Sequence, residues 1–294
     1  MIPRLAGTRN RERILHSYFP KVYLEFLWYI VPRVRAQKRD ISTMLFLLVA
    51  PIFFILGFKG SMKGPFGTMT VSNREQIKSS AYGLFKTVFS YLPELREVSQ
   101  SVSSLSQVVD VGANLGDFTL ALASQSTAVL AIEPDRENFS ILCQNIYANR
   151  FRNVTPKNIA AHDREEEVTL QGVGSTTRIT TAGLGEHAEG APLDAVLEQV
   201  GITSADLMKL DVQGHEMKVL LGLRRSLKNK LVKLLVVEVH PYRTFSAKDI
   251  VSLMQGFGYH LIAQRDYLFD QLHLYFRPNH LLGSDGDSWD GTDV

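Results

Sequence analysis

The segment Val108-Val109-Asp110-Val111-Gly112-Ala113-Asn114-Leu115-Gly116 narrows the folds open to this chain more than any other. A short β-branched run ends in an acid, turns through two glycines and passes into a helical pattern over 117–124. Such a run, apolar on both faces, belongs in a parallel sheet covered on both sides. Strand, tight turn and helix then place the turn at the carboxyl edge of the sheet, where open α/β sheets bind ligands.

The rest of the chain repeats this alternation. Strands are predicted over 107–111, 128–133, 154–159, 207–211, 233–239, 259–263 and 272–276. Helices are predicted over 117–124, 136–149, 193–200, 215–223 and 247–256. The pattern predicts an α/β fold, a Rossmann-like sheet of seven strands with helices on both faces. A short turn near Asp266, with no helix, makes the last two strands an antiparallel end. Residues 60–75 are Gly-rich and read as a linker, and 172–190 as a flexible polar insertion, a solvent loop that could also cover the acceptor. The expected organisation is therefore an apolar, helical amino-terminal region over 1–62, a linker and lead-in helix over 63–106, the α/β domain over 107–278 and an acidic disordered tail over 279–294.

Charge is unevenly distributed. Nine Lys/Arg precede residue 40 against two acids, and the charge-free run ISTMLFLLVAPIFFILGF over 41–58 follows. A basic end beside an apolar run indicates a membrane surface rather than nucleic acid, with membrane lipid as an expected partner. Eighteen residues only just reach the length of a membrane span, and Pro51 would kink it. The basic lead would keep the amino end in the cytoplasm, so a full span would carry the rest of the chain away from it. A bent, in-plane segment avoids that and leaves the α/β domain facing the cytoplasm. The single cysteine, Cys143, excludes an intramolecular disulfide framework and reads as a small core residue.

The glycines stand as G-x-x-x-G, with Asn114 where a dinucleotide-binding turn would carry glycine. A pyrophosphate therefore fits this turn poorly. A zwitterionic amino-acid tail fits better, its ammonium on Asp110 and its carboxylate on the backbone amides of 112–115. The second predicted strand ends in Glu133-Pro134-Asp135, and an acid 17 residues beyond Gly116 can accept from both hydroxyls of a ribose. Together the two features point to S-adenosylmethionine. An adenine would lie near Asn158, Ile159 and Ala160, and Asp163 can reach its amine or simply form a turn. The expected cofactor set is Asp110, Gly112, Ala113, Asn114, Gly116, Glu133, Pro134, Asn158, Ala160 and Asp211.

Two further strand ends carry chemistry. Lys209 and Asp211 share one side of the fourth strand by its period of two. Asp211 can bind a cation, orient an acceptor hydroxyl or position the methyl donor, while Lys209 can equally form a structural ion pair. The fifth strand ends in Glu238-Val239-His240, and an imidazole there is a candidate general base. Asp211, Glu238 and His240 can alternatively form a site for Mg²⁺ or a similar ion. His215 reads as a surface residue, and His273 shows no spacing that marks a ligand.

The segments VVDVGANLGDFTL, AIEPDRENF, LDAVLEQVGITSADLMKLDVQGHE and VVEVH resemble the FkbM family of class I methyltransferases, over roughly residues 107–276. The resemblance implies transfer of a methyl group from S-adenosylmethionine to a hydroxyl, commonly on a sugar or natural-product scaffold. Glycans, glycolipids and related small molecules become the expected acceptors. It assigns Asp110, Gly112, Asn114, Gly116 and Glu133 to the cofactor, and Lys209, Asp211, Glu238 and His240 to the catalytic side. Gln213 departs from the pattern, since family members often carry Glu there, and this weakens the metal reading. Two competitors are a catalytically idle methyltransferase fold serving as a membrane-tethered binding module and an NAD-dependent oxidoreductase.

Overall fold

The computed structural model describes residues 60–64, 67–71, 105–172, 177–180, 185–240, 245–267 and 271–281. The run 41–58, residues 72–104 within the expected linker and lead-in helix, and the tail beyond 281 lie outside the described residues. Among the described residues no helix is long and apolar enough to cross a membrane.

In chain order, a hairpin of β1 (Gly60–Gly64) and β2 (Gly67–Val71) precedes β3 (Leu105–Val111), α1 (Asp117–Ala123), β4 (Ser126–Ile132), α2 (Arg136–Ala148) and β5 (Val154–Lys157). Then come β6 (Ala160–His162), β7 (Glu166–Gln171), β8 (Arg178–Thr180), β9 (Glu186–Pro192), α3 (Leu193–Gln199) and β10 (Leu207–Leu210). Helices α4 (Glu216–Gly222) and α5 (Arg224–Lys228), strand β11 (Leu235–Val239), α6 (Ala247–Gly256), β12 (Tyr259–Tyr267) and β13 (Gln271–Pro278) complete the described fold. All seven strands predicted from hydrophobic runs join one sheet, ordered β12-β13-β11-β10-β3-β4-β5. The central pairs are parallel, and β13 runs antiparallel to both β11 and β12. The fold is an α/β Rossmann-like one with a mostly parallel sheet.

Side-chain alternation sorts the sheet's two faces. Val109, Val111, Met208, Leu210, Val237 and Val239 pack in one cluster with Leu193, Val196, Leu220 and Met254 from α3, α4 and α6. Val108, Leu207 and Val236 point the other way, against Phe118 and Leu122 of α1. Each of these buried aliphatic side chains contributes roughly 1.5–3 kcal/mol by leaving water. Asp110, Lys209 and Glu238 occupy the second face by the same alternation near the carboxyl edge, with Thr119 of α1 on Asp110 and Phe118 of α1 beside Lys209.

Two readings of the sequence need correction. Residues 60–71 are a hairpin rather than a linker, and β2 is fastened to α2. Asn149 accepts from the Thr68 amide at 2.7 Å and donates to its carbonyl at 2.7 Å, and Asn145 accepts from the Thr70 amide at 2.5 Å. Met69 is buried against Leu115 and Leu142. The 172–190 region likewise contributes strands to a second sheet, ordered β6-β9-β7-β8, built on Ala160, Val168, Leu170 and Ala188. Cys143 is half-buried.

Candidate active site

The turn after β3 is set by its glycines. Gly112 has φ +86°, and a Cβ there would stand 1.9 Å from the Asp211 carbonyl oxygen, so any side chain would push apart the loops after β3 and β10. The amides of Gly112 and Ala113 both donate to the Ile132 carbonyl at 2.9 Å, and the Gly116 amide donates to Ala113 at 2.9 Å. The Asn114 amide donates to Glu133 Oε2 at 2.8 Å. These donors are committed inside the fold, so the expectation that 112–115 offers amides to a carboxylate does not hold for Gly112, Ala113 and Asn114.

What the turn does offer is acceptors. Asp110 is fully buried; Thr119 donates to its Oδ2 at 2.6 Å, while its Oδ1 has no hydrogen-bond partner among the described residues. Asn114 Oδ1 is in the same condition. Burial pushes the Asp110 carboxyl up to about 6, with Lys209 pulling the other way. Glu133 is held by the Asn114 amide and by the Asp135 amide at 3.1 Å, and burial pushes it up to about 7 against those two bonds. Two buried oxygens without a partner among the described residues, beside a carboxylate, call for a ligand rich in donors, such as an ammonium and ribose hydroxyls. A pyrophosphate, which needs amide donors, would find the amides of Gly112, Ala113 and Asn114 already occupied.

Asn158 Nδ2 donates to the carbonyls of Glu133 at 2.9 Å and Pro134 at 3.0 Å, pinning the loop after β4. Ala160, expected beside an adenine, is instead buried in the core of the small sheet, because β6 turns its side chain toward Val168 and Leu170. Asp163 Oδ1 lies 2.6 Å from His162 Nδ1. His162 Nε2 meets Glu166 at 3.1 Å, so each ring nitrogen faces a carboxylate. His215 is half-buried rather than on the surface, its ring 4.8 Å from that of His162, and burial with the neighbouring His162 pushes its pKa down to about 4.

The strand ends β10 and β11 assemble a connected polar group. Lys209 Nζ donates to Asp211 Oδ2 at 3.0 Å and lies 5.3 Å from the Phe118 ring centroid. Burial opposes its charge, but Asp211, Glu238 and Asp110 outweigh that and raise its pKa. His240 is fully buried, with Nδ1 3.0 Å from Glu216 Oε1. Gln213 Nε2 lies 3.2 Å from Asp211 Oδ1 and 2.8 Å from His240 Nε2. The Asp211 carboxylate requires a donor, which fixes the amide orientation of Gln213 and makes His240 Nε2 the acceptor. His240 therefore carries its proton on Nδ1, facing Glu216. Burial works against a charge on this ring, while Glu216, Asp211 and Glu238 outweigh it and raise its pKa.

Asp211 Oδ1 and Glu238 Oε1 each lie 3.6 Å from His240 Nε2, near enough to suggest a cation site. The donor set does not fit one. Gln213 occupies Asp211 Oδ1 and His240 Nε2, Lys209 occupies Asp211 Oδ2, and His273 Nε2 stands 3.2 Å from Glu238 Oε2. A divalent ion would have to displace an amide and sit beside an ammonium. Glu238 is fully buried, placed between His240 and His273. Sequence reasoning missed Glu216, Thr119 and His273. His273 was findable only through the antiparallel register that sets it opposite Glu238.

Comparison with known proteins bears on this site. The family model of the methyltransferase FkbM domain matches residues 110–261. AMB antimetabolite synthetase AmbE of Pseudomonas aeruginosa is 27% identical over 221 residues, 57% of this chain and 10% of that protein. Hexuronic acid methyltransferase AglP of Haloferax volcanii is 25% identical over 150 residues, 49% of this chain and 59% of that protein. The chain thus spans under two thirds of either relative. The crystal structure of the FkbM methyltransferase from Methylobacillus flagellatus superposes with TM-score 0.47 at 17% identity, covering 81% of this chain and 61% of that one. The domain match runs from Asp110 in β3 into β12, across more than half of the chain, and sets aside the oxidoreductase reading: the chain belongs to the FkbM family of methyltransferases.

Proposed function

We propose that this methyltransferase carries a methyl group from S-adenosylmethionine to a hydroxyl oxygen of a glycan, glycolipid or related small molecule. The observation that carries the reading is the presence, along one sheet edge, of Asp110 Oδ1, partnerless among the described residues, and of His240 Nε2, an imidazole nitrogen that accepts from Gln213. Asp110 and Asn114 would receive the ammonium of the cofactor, and Glu133 its ribose hydroxyls. When bound, the cofactor supplies an electrophilic methyl carbon on a sulfonium. His240 Nε2 would take the proton of the acceptor hydroxyl, freeing that oxygen to act as the nucleophile, and Glu216 holds the ring through Nδ1. Holding the acceptor oxygen in place beside His240 would supply much of the rate.

The likeness to a hexuronic acid methyltransferase supports a glycan among the acceptors. The basic lead and the run 41–58 support a place at a membrane surface with the α/β domain on the cytoplasmic side. Calorimetry with S-adenosylmethionine and with NAD tests the cofactor. Saturable binding of the first alone is expected, and binding of NAD alone would overturn the reading. Removal of residues 1–60 tests the membrane placement by release of the chain into the soluble fraction.

A further inference from the structure

The loop after β3 is held from α2 as well as from the sheet. Asn114 has φ +50° and Gly116 has φ +96°. A left-handed conformation is uncommon for asparagine and persists where surrounding bonds hold it. The Asn114 amide donates to Glu133 Oε2 at 2.8 Å, and the next carbonyl, that of Leu115, accepts from Asn145 Nδ2 at 2.8 Å. Between these two bonds stands the Asn114 side chain, whose Oδ1 has no hydrogen-bond partner among the described residues.

Asn145 is fully buried, and its other end is engaged by the hairpin, Oδ1 accepting from the Thr70 amide at 2.5 Å. Met69, one residue earlier, packs in one cluster with Leu115 and Leu142. The hairpin therefore reaches the loop by two routes, a side-chain amide bridge and an apolar contact. Both β1 and β2 precede the residues that match the FkbM domain, 110–261.

We propose that Asn145 is a positioning residue for the cofactor, and that the β1–β2 hairpin acts through it on cofactor binding without touching the cofactor. This rests on the S-adenosylmethionine reading above. A side-chain amide has one accepting and one donating end. Thr70 takes the accepting end, which turns Nδ2 toward Leu115 and holds the loop in the shape that presents the oxygens of Asp110 and Asn114. Linkage makes the effect reciprocal: a docked hairpin favours the bound cofactor, and the bound cofactor favours the docked hairpin by the same factor. A bridge that served stability alone would leave cofactor affinity unchanged.

The test uses the full chain and S-adenosylhomocysteine, with binding read by calorimetry. Asn145→Ala removes both ends of the bridge and should weaken binding about tenfold or more, the order expected when a buried carbonyl loses its donor. Asn149→Ala loosens the same hairpin at Thr68 without reaching the loop, and its affinity should stay within about threefold of the parent. In the parent chain, saturating S-adenosylhomocysteine should slow hydrogen exchange at the Thr68 and Thr70 amides by about tenfold. That measurement decides the matter if Asn145→Ala does not fold. The inference is overturned, with methyl transfer intact, by a folded Asn145→Ala of parental affinity, by equal weakening in both variants, or by hairpin amides whose exchange ignores the ligand. A parent chain that binds no S-adenosylhomocysteine overturns the cofactor reading instead.

Discussion

Glu216 Oε1 lies 3.0 Å from His240 Nδ1, and both side chains are buried. The same carboxylate oxygen accepts the Gly214 amide at 2.9 Å, so one atom fixes both the imidazole and the turn that carries Gln213. Replacing His240 by alanine should lower kcat by ~10²–10⁴-fold, the usual worth of a positioned base, with cofactor affinity little changed. Glu216→Gln should lower kcat about tenfold or more through loss of orientation. It should also move the ascending limb of the pH–rate profile to lower pH, because removing the carboxylate lowers the proton affinity of His240. An unshifted limb in steady-state rates would detach Glu216 from the base.

Asp110, near 6, and Glu133, near 7, should make cofactor affinity depend on pH. A cationic ammonium favours ionised Asp110, so affinity should rise between pH 5 and 7 as protons are released on binding. Calorimetry in buffers of different ionisation enthalpy reads that release directly. Asp110→Asn should weaken binding roughly 10–100-fold, the order expected for losing a charge-assisted hydrogen bond, and remove most of the proton release.

The same two carboxyls set the stability of the unliganded chain. Each has a folded-state pKa above its ordinary value of 3.8 or 4.5. At these two groups the folded state binds more protons than the unfolded one between about pH 4 and 7, so their contribution to stability falls as pH rises through that window, by on the order of 3 kcal/mol each at most. His215, pushed down to about 4, contributes in the opposite sense over the same range. The check is therefore a difference: Glu133→Gln should gain stability relative to the parent chain as pH rises from about 4 to 7, and a difference independent of pH would refute the assignment.

Gln213 and Lys209 occupy the atoms a divalent ion would need, so a chelator should leave the rate of the purified chain within about twofold. Metal-dependent recovery after dialysis against EDTA would contradict the donor arrangement seen at Asp211 and His240.

The β1–β2 hairpin is held by two asparagines of α2. Asn149→Ala removes two hydrogen bonds to Thr68 and should cost about 2 kcal/mol, a fall in Tm of roughly 4–8 °C. Scanning calorimetry would detect that change, and an unchanged Tm would mean the hairpin contributes little to the fold.

The seven-stranded sheet was legible because its central strands are buried on both faces and read as runs of Val, Ile and Leu. The small sheet was not, since β9 alternates Ala188 and Gly190 inward with Glu186, His187 and Glu189 outward, a pattern with almost no apolar signal. The hairpin escaped for a related reason: its glycines resemble a linker until Asn145 and Asn149 supply partners. Strand-end residues Asp110, Lys209, Asp211 and His240 were findable from spacing. Glu216 was not, because its role depends on α4 packing beside a strand 24 residues later. The loop amides were misjudged because only the folded turn reveals that Ile132 already accepts two of them.

The most direct measurement is label transfer. The full chain is incubated with methyl-labelled S-adenosylmethionine and fractionated cell extract, beside the His240→Ala variant. The expected result is label in ether linkage on a glycan or glycolipid fraction, lost by ~10²-fold or more in the variant. Label in protein, or equal label with and without His240, would contradict base-assisted transfer to a hydroxyl.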